Sequence, residues 1–299
     1  MSSLLTKAHG EKDDSRRIAD DRFGSAGETW RVFYAHWRQS LEQAGGLIHP
    51  EYLKGLEALA LPTDSFPSLT HLETQLHRVG WRLVLVEGVV DDFLFCRMIK
   101  ARKFPLAMQV RPFDRVFHAP APDAIHDILG HLPWLFWPNY RRLLSTLSMG
   151  AQRIASAASA PNDSEAMARA WSRLFLWTVE FGLIGEGDDD RRILGAAIMS
   201  SPTEIDRIRG GAPAVRQLDA SAFENDILYS DPQPLLYQFA DFDSVGARLR
   251  EMIRTSGGGR VSFQSRLRQA PATIRRGWPF RQPTISFGVK EKDAQTAAE

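Results

Sequence analysis

"PDAIHDILGH", residues 122–131, carries His126 and His131 five residues apart in an otherwise largely apolar stretch. Pro122 suits the first turn of a helix and Gly130 its end, so the stretch reads as helical. A buried helix has little use for two imidazoles unless they hold something. Successive α-helical residues turn by about 100°. Side chains five apart therefore point roughly 140° away from each other. They meet on one ion only if the helix bends or ends between them, and Gly130 is the residue that permits this. The competing reading is one buried, hydrogen-bonded histidine and one at the surface.

A second stretch bears on the choice. In "RLFLWTVEFGLI", residues 173–184, Glu180 is surrounded by Phe175, Trp177, Val179, Phe181, Leu183 and Ile184, which leave no polar face. A carboxylate placed there is buried and needs a partner or a metal. A salt bridge to Arg173 or Arg111 would serve; so would an ion shared with the histidines. Two histidines and one carboxylate form the facial triad of non-heme Fe(II) oxygenases, with three positions left open. Arg111 ends a strand candidate fifteen residues before His126. A guanidinium fork near such a centre suits a substrate carboxylate. Asp123 is the acid placed to hold it, or a helix-start carboxylate favoured by the macrodipole.

The surrounding pattern is mainly α with a few short strands. Trp30, Phe33, Trp37 and Leu41 recur at helical spacing and Gly45 and Gly46 end that helix. "WRLVLVEG" (81–88) and "FPLAMQVR" (104–111) read as strands around a short helix, "DDFLFCRMIKAR" (91–102), with Asp91 or Asp92 at its cap. "SPTEIDRIRGG" (201–211) offers a capping box from Ser201 and Glu204. Residues 1–27 are polar and read as a disordered segment, 28–255 as one catalytic domain, and 256–299 as a flexible basic tail opened by "SGGGR".

Composition narrows the class. The 299 residues are 43% hydrophobic and 24% charged, ordinary for a globular protein, and the net charge of +1 favours no polyanionic partner. One cysteine, Cys96, precludes an intrachain disulfide. With no apolar leader and no spanning run, the expectation is a cytoplasmic protein without membrane or nucleic-acid partners. The arginines and aromatics of the tail could track a single strand, but a solvated tail is the simpler reading.

"PDAIHDILGHLPWL", "RLFLWTVEFGLI" and "GAAIMSSPTEI" together resemble the tetrahydropterin-dependent aromatic amino acid hydroxylases. "ETWRVFYAHWRQ", "GWRLVLVEGVVDDFLF", "RKFPLAMQVR" and "DPQPLLYQFADFDSV" follow in that family's order, so the resemblance spans about residues 28–252. It implies the family's catalytic-domain fold and a monooxygenase that hydroxylates an aromatic amino acid with O2. Fe(II) would sit on His126, His131 and Glu180, beside a tetrahydropterin. Phe95 would stack on the pterin, Gly88, Val90 and Asp92 would meet it from a loop, and Asp127 would face it. Arg111 would bind the substrate carboxylate with Asp123 in support. Pro122, Phe181, Ser200 and Glu204 match substrate positions.

The departures from the family concern the pocket. Leu176 stands where the phenylalanine-specific members have tryptophan and the tryptophan-specific members phenylalanine. Phe175 replaces a tyrosine near the pterin. Ala119, Ala121 and Ala197 replace threonine, glutamate and glycine. The substrate expected is phenylalanine, tryptophan or a non-standard aromatic amino acid; a non-catalytic iron- and pterin-binding homologue is the alternative. A monomer or weak dimer is expected, since the tail lacks heptads.

Overall fold

Helix α2 (Gly27–Ala44) buries Trp30, Phe33, Tyr34, Trp37 and Leu41 along one stripe, the periodicity that a surface helix needs to meet a core. Two indoles on that stripe tie it to distant chain: Trp30 Nε1 donates to Pro62 O at 2.8 Å and Trp37 Nε1 to Met199 O at 2.6 Å. The computed structural model describes residues 2–88, 90–117, 119, 121–156, 161–228 and 231–257. The first 260 residues form one compact unit. Of the tail expected over residues 256–299, residues 256 and 257 close the helix Phe242–Gly257, and the rest lies outside the described residues.

Residues expected to be disordered instead form α1 (Ser2–Ser25). Its second half has reason to dock. Ala19 and Phe23 are buried, Phe23 stacks on Phe66 at 4.6 Å, and Arg16 makes a two-pronged contact with Glu73 at 2.9 and 3.0 Å. Two apolar contacts in a polar segment are too few to show as periodicity.

After α3 (Pro50–Leu59) and α4 (Leu69–His77), strand β1 (Arg82–Val86) leads through α5 (Asp92–Lys100) to β2 (Lys103–Ala107). The strands pair in parallel, Arg82 opposite Lys103 through Val86 opposite Ala107, as a helical crossover requires. Asp91, not Asp92, caps α5, its carboxylate accepting from the amides of Phe93 and Leu94 at 3.0 Å each.

Next come α6 (Ala124–His126), α7 (Pro138–Ser156) and α8 (Pro161–Phe175). Strands β3 (Leu183–Ile184) and β4 (Arg192–Ile193) precede α9 (Ala196–Met199) and α10 (Pro202–Arg209), followed by β5 (Ala214–Gln217), β6 (Leu235–Phe239) and α11 (Phe242–Gly257). A four-stranded sheet of order β4-β3-β6-β5 results, antiparallel only between β3 and β4. Among the described residues no helix is long and apolar enough to cross a membrane.

Candidate active site

The two histidines converge because the helix widens. Beyond α6 the chain runs as a π turn, Asp127–His131, closed by the Leu132 amide on Asp127 O. A π turn holds roughly 4.4 residues, so side chains five apart lie about 50° apart rather than 140°. Gly130 is not a bend. A Cβ there would stand 2.5 Å from the Ala196 carbonyl oxygen, so glycine is required for close approach. Tyr52 supports the same turn by donating its hydroxyl to Leu129 O at 2.6 Å.

Glu180 is delivered by a second π turn, Leu176–Glu180, closed by the Phe181 amide on Leu176 O at 2.9 Å. Gly195 packs against this one, for its Cβ would meet Glu180 O at 2.3 Å. The short α9 segment is thus pressed between the two π turns through Gly130 and Gly195. π turns of this kind recur at functional sites.

His126 Nε2 and His131 Nε2 lie 3.2 Å apart, and Glu180 reaches them with Oε2 at 3.6 Å and Oε1 at 3.1 Å respectively. Neither arginine considered for this carboxylate pairs with it. Arg173 pairs with Asp226, and Arg111 pairs with Asp123. Three ligand atoms about 2.1 Å from one ion stand about 3.0 Å apart on an octahedral face and about 3.4 Å apart in a tetrahedron. The 3.2 Å between the two imidazole nitrogens falls in that range, each carboxylate oxygen of Glu180 faces one of them, and one ligand atom from each residue lies within 4.8 Å of the others, so the group can close on a single first-row metal ion.

Burial and mutual contact set the ionisation of the three groups. Burial drives the His126 pKa down to about 4, leaving a neutral imidazole. Burial opposes charge on Glu180 too, but the two histidines and the Ala197 amide hold its pKa below the ordinary value. Against the same burial, the charges of Glu180 and Asp127 raise that of His131.

Ser200, expected in the substrate pocket, contacts a histidine of the triad. Its Oγ–H donates to Ala196 O at 2.8 Å, and its lone pair faces His126 Nδ1 at 2.9 Å. His126 must then carry its proton on Nδ1, which leaves the Nε2 lone pair turned to the other donors. Ser200→Ala is expected to weaken iron binding by about 10- to 100-fold, measured by titration against a competing chelator; unchanged affinity would show that the hydroxyl does not orient the ring.

Arg111 and Asp123 form a buried pair. Nε and Nη2 of Arg111 donate to Asp123 Oδ2 and Oδ1 at 2.9 and 2.7 Å, and the Arg111 amide adds a bond of 2.8 Å to Oδ2. Asp123 also caps α6 by accepting from the His126 amide at 3.0 Å. One carboxylate therefore joins the guanidinium to the metal-ligand turn.

Of the residues expected to meet the pterin, Phe95 lies against a metal-site histidine. Phe95 is half-buried, 6.2 Å from the His131 ring, and meets Phe104 and Phe175 edge-on at 6.0 and 5.4 Å. Phe175, lacking a hydroxyl, stacks on Trp171 at 5.4 Å. Asp127 accepts from the Ala107 amide at 2.7 Å, and burial pushes its pKa up to about 7. Gly88 is exposed with its amide on Gln109 Oε1 at 3.1 Å, and Val90 is half-buried. The Asp92 side chain lies outside the described residues.

Leu176 and Phe181 bracket Glu180 on its π turn, both half-buried. Pro122 is exposed and precedes the Asp123 cap rather than entering the helix. The expected capping box is only half formed: Ser201 caps the Glu204 amide at 3.3 Å, but Glu204 turns its carboxylate to Arg207 at 2.9 and 3.0 Å. Arginine three residues on offers two charged donors, more than a single backbone amide does. Gln109 was missed by sequence reasoning. Its side chain holds Gly88 while its carbonyl accepts from the Ala124 amide at 2.8 Å, and nothing in its neighbours signals either bond.

Comparison with known proteins agrees with this geometry. Residues 21–258 match the family described as biopterin-dependent aromatic amino acid hydroxylase. A phenylalanine-4-hydroxylase of Ralstonia nicotianae is 33% identical over 59% of this chain, a match spanning 53% of its own length. The chain thus spans about half of that relative. A phenylalanine-4-hydroxylase of Pseudomonas aeruginosa is also 33% identical, over 76% of this chain and 82% of its own. The structure of Chromobacterium violaceum phenylalanine hydroxylase with iron(III) and 7,8-dihydrobiopterin superposes with a TM-score of 0.66 at 26% identity, covering 76% of this chain and 80% of that one. A metal triangle raised on two π turns, a buried arginine fork beside it and a family match across 238 residues lead to one conclusion: the chain belongs to the biopterin-dependent aromatic amino acid hydroxylases.

Proposed function

We propose that this protein is an Fe(II)- and tetrahydropterin-dependent monooxygenase that hydroxylates the ring of an aromatic amino acid with O2, taking phenylalanine or tryptophan. The observation that carries the reading is the convergence of the buried His126 and His131, their Nε2 atoms 3.2 Å apart, with the half-buried Glu180 carboxylate, whose two oxygens lie 3.1 and 3.6 Å from them. Bound there, iron with a neighbouring pterin would supply the O2 activation and electrons that side chains lack.

The chain's own part is to hold and orient. Ser200 fixes the His126 tautomer. Arg111 has five N–H donors and spends two on Asp123, leaving three for a substrate carboxylate. Phe95 offers a half-buried aromatic face near His131 on which a planar pterin can stack. Leu176, half-buried at the start of the Glu180 turn, is smaller than the tryptophan or phenylalanine of the family members and would give a ring larger than benzene more space.

Purified protein given Fe(II), tetrahydropterin and air should add one oxygen to phenylalanine or tryptophan, read by mass spectrometry. Iron bound without product or pterin oxidation for either substrate, or for tyrosine, would favour a non-catalytic binding protein instead. Leu176→Trp should shift the ratio of kcat/KM values towards phenylalanine by about tenfold, since filling pocket space is worth about 1–3 kcal/mol.

A further inference from the structure

Phe33 belongs to the apolar stripe of α2, yet its ring does more than fill the core. The Arg111 guanidinium carbon stands 4.8 Å from the centre of that ring, and Phe33 is fully buried while Arg111 is only 7% exposed. Asp123 grips the guanidinium by its edge through Nε and Nη2. Phe33 covers a face. An edge contact alone leaves the plane free to rock; an edge and a face together fix its orientation and keep water off one side.

The ring is itself backed. Phe117 lies 6.2 Å from Phe33, and it packs on His36 at 4.8 Å. Phe33 and His36 are one turn apart on α2, and Phe117 sits in the segment between Arg111 and Asp123. The same segment that supplies the ion pair therefore also returns to brace the ring beneath it.

We propose that Phe33 is a positioning residue that sets the plane and the dryness of the Arg111 guanidinium, and thereby the affinity for the carboxylate of the amino acid substrate. This rests on the reading above in which Arg111 takes that carboxylate. A desolvated cation–π contact strengthens a fixed charge and opposes its rehydration. The three remaining N–H groups then present a preformed fork, so that little ordering is left for binding. A plain core role would make Phe33 matter for everything the protein binds. A positioning role makes it matter for ligands with a carboxylate.

The test measures binding of L-phenylalanine and L-tryptophan, each beside its amide, which lacks the carboxylate charge. Iron-loaded full-length protein is used with calorimetry, and KM and kcat are measured in parallel. Phe33→Leu should weaken both amino acids by about three- to thirtyfold and the amides by less than about twofold. The KM for tetrahydropterin and the kcat at saturation should stay within about twofold. Phe33→Tyr, which keeps the aromatic face, should restore affinity for the amino acids; Phe33→Met replaces Phe33→Leu if the latter melts early. Equal weakening of acids and amides, or no weakening, would overturn the inference. Phe33→Tyr behaving like Phe33→Leu would overturn it too. Wild-type protein that binds neither amino acid and forms no product would overturn the reading of the site and this inference with it; hydroxylation by the wild type alongside an indiscriminate Phe33→Leu would overturn the inference alone.

Discussion

Glu180→Ala is expected to purify without iron and to hydroxylate at least about a thousandfold more slowly, a barrier increase of about 4 kcal/mol. Glu180 is the only anionic corner of the triangle, 3.1 Å from His131 and 3.6 Å from His126. Without it two neutral imidazoles remain, a set that binds soft or borderline ions weakly and leaves too many open positions. The protein should still fold. Burial disfavours the Glu180 charge, and the carboxylate's loss removes that cost along with its bonds to the histidines. His131 then loses the foremost influence that raises its pKa against burial, which favours its neutral form. Metal analysis and a thermal melt separate the two effects. Full iron content with wild-type turnover would remove Glu180 from the metal centre; loss of the folded state would make the carboxylate structural.

The triad residues were visible in the sequence, and the reason they meet was not. His126 and His131 at a separation of five argue against a shared ion in an ideal α-helix. The geometry that rescues them is a π turn imposed from outside, by Ala196 packed against Gly130 and by the Tyr52 hydroxyl on Leu129 O. Those contacts link positions 66 and 77 residues apart, so no local pattern announces them. Glu180 was easier, because a lone carboxylate among aromatic and aliphatic neighbours reads as buried with no knowledge of its partners. Arg111 and Asp123 were legible as residue types at a sensible distance, while the bidentate grip and the cap on His126 needed coordinates.

The fold shows the same division. The α2 stripe and the β1–α5–β2 unit follow from local periodicity. The four-stranded sheet does not, since β3 and β4 have two residues each and express no alternation. Helix α1 was hidden by its polar composition; what orders its second half is two buried side chains and one ion pair to α4. Local signals report what a segment can do, and the site of this protein lies where tertiary contacts override them.

Asp123→Ala should lower stability by about 3–5 kcal/mol and, in a unit of this size, the melting temperature by roughly 10 °C. It should also raise the KM for the amino acid by about two orders of magnitude, from loss of a charged, preformed contact. The magnitude follows from what one carboxylate does. It accepts from Nε, Nη2 and the amide of Arg111 and from the amide of His126. Although burial opposes its charge, the Arg111 bonds hold its pKa below the ordinary value, so the pair is ionised. Alanine strands a guanidinium at 7% exposure, with Phe33 on one face and nothing at its edge. A second change distinguishes a stranded charge from a lost cap. Adding Arg111→Met to Asp123→Ala removes the orphaned cation and should recover most of the stability while leaving substrate binding lost. Recovery of both, or of neither, would mean that the pair serves the fold or the substrate by a route other than the fork itself.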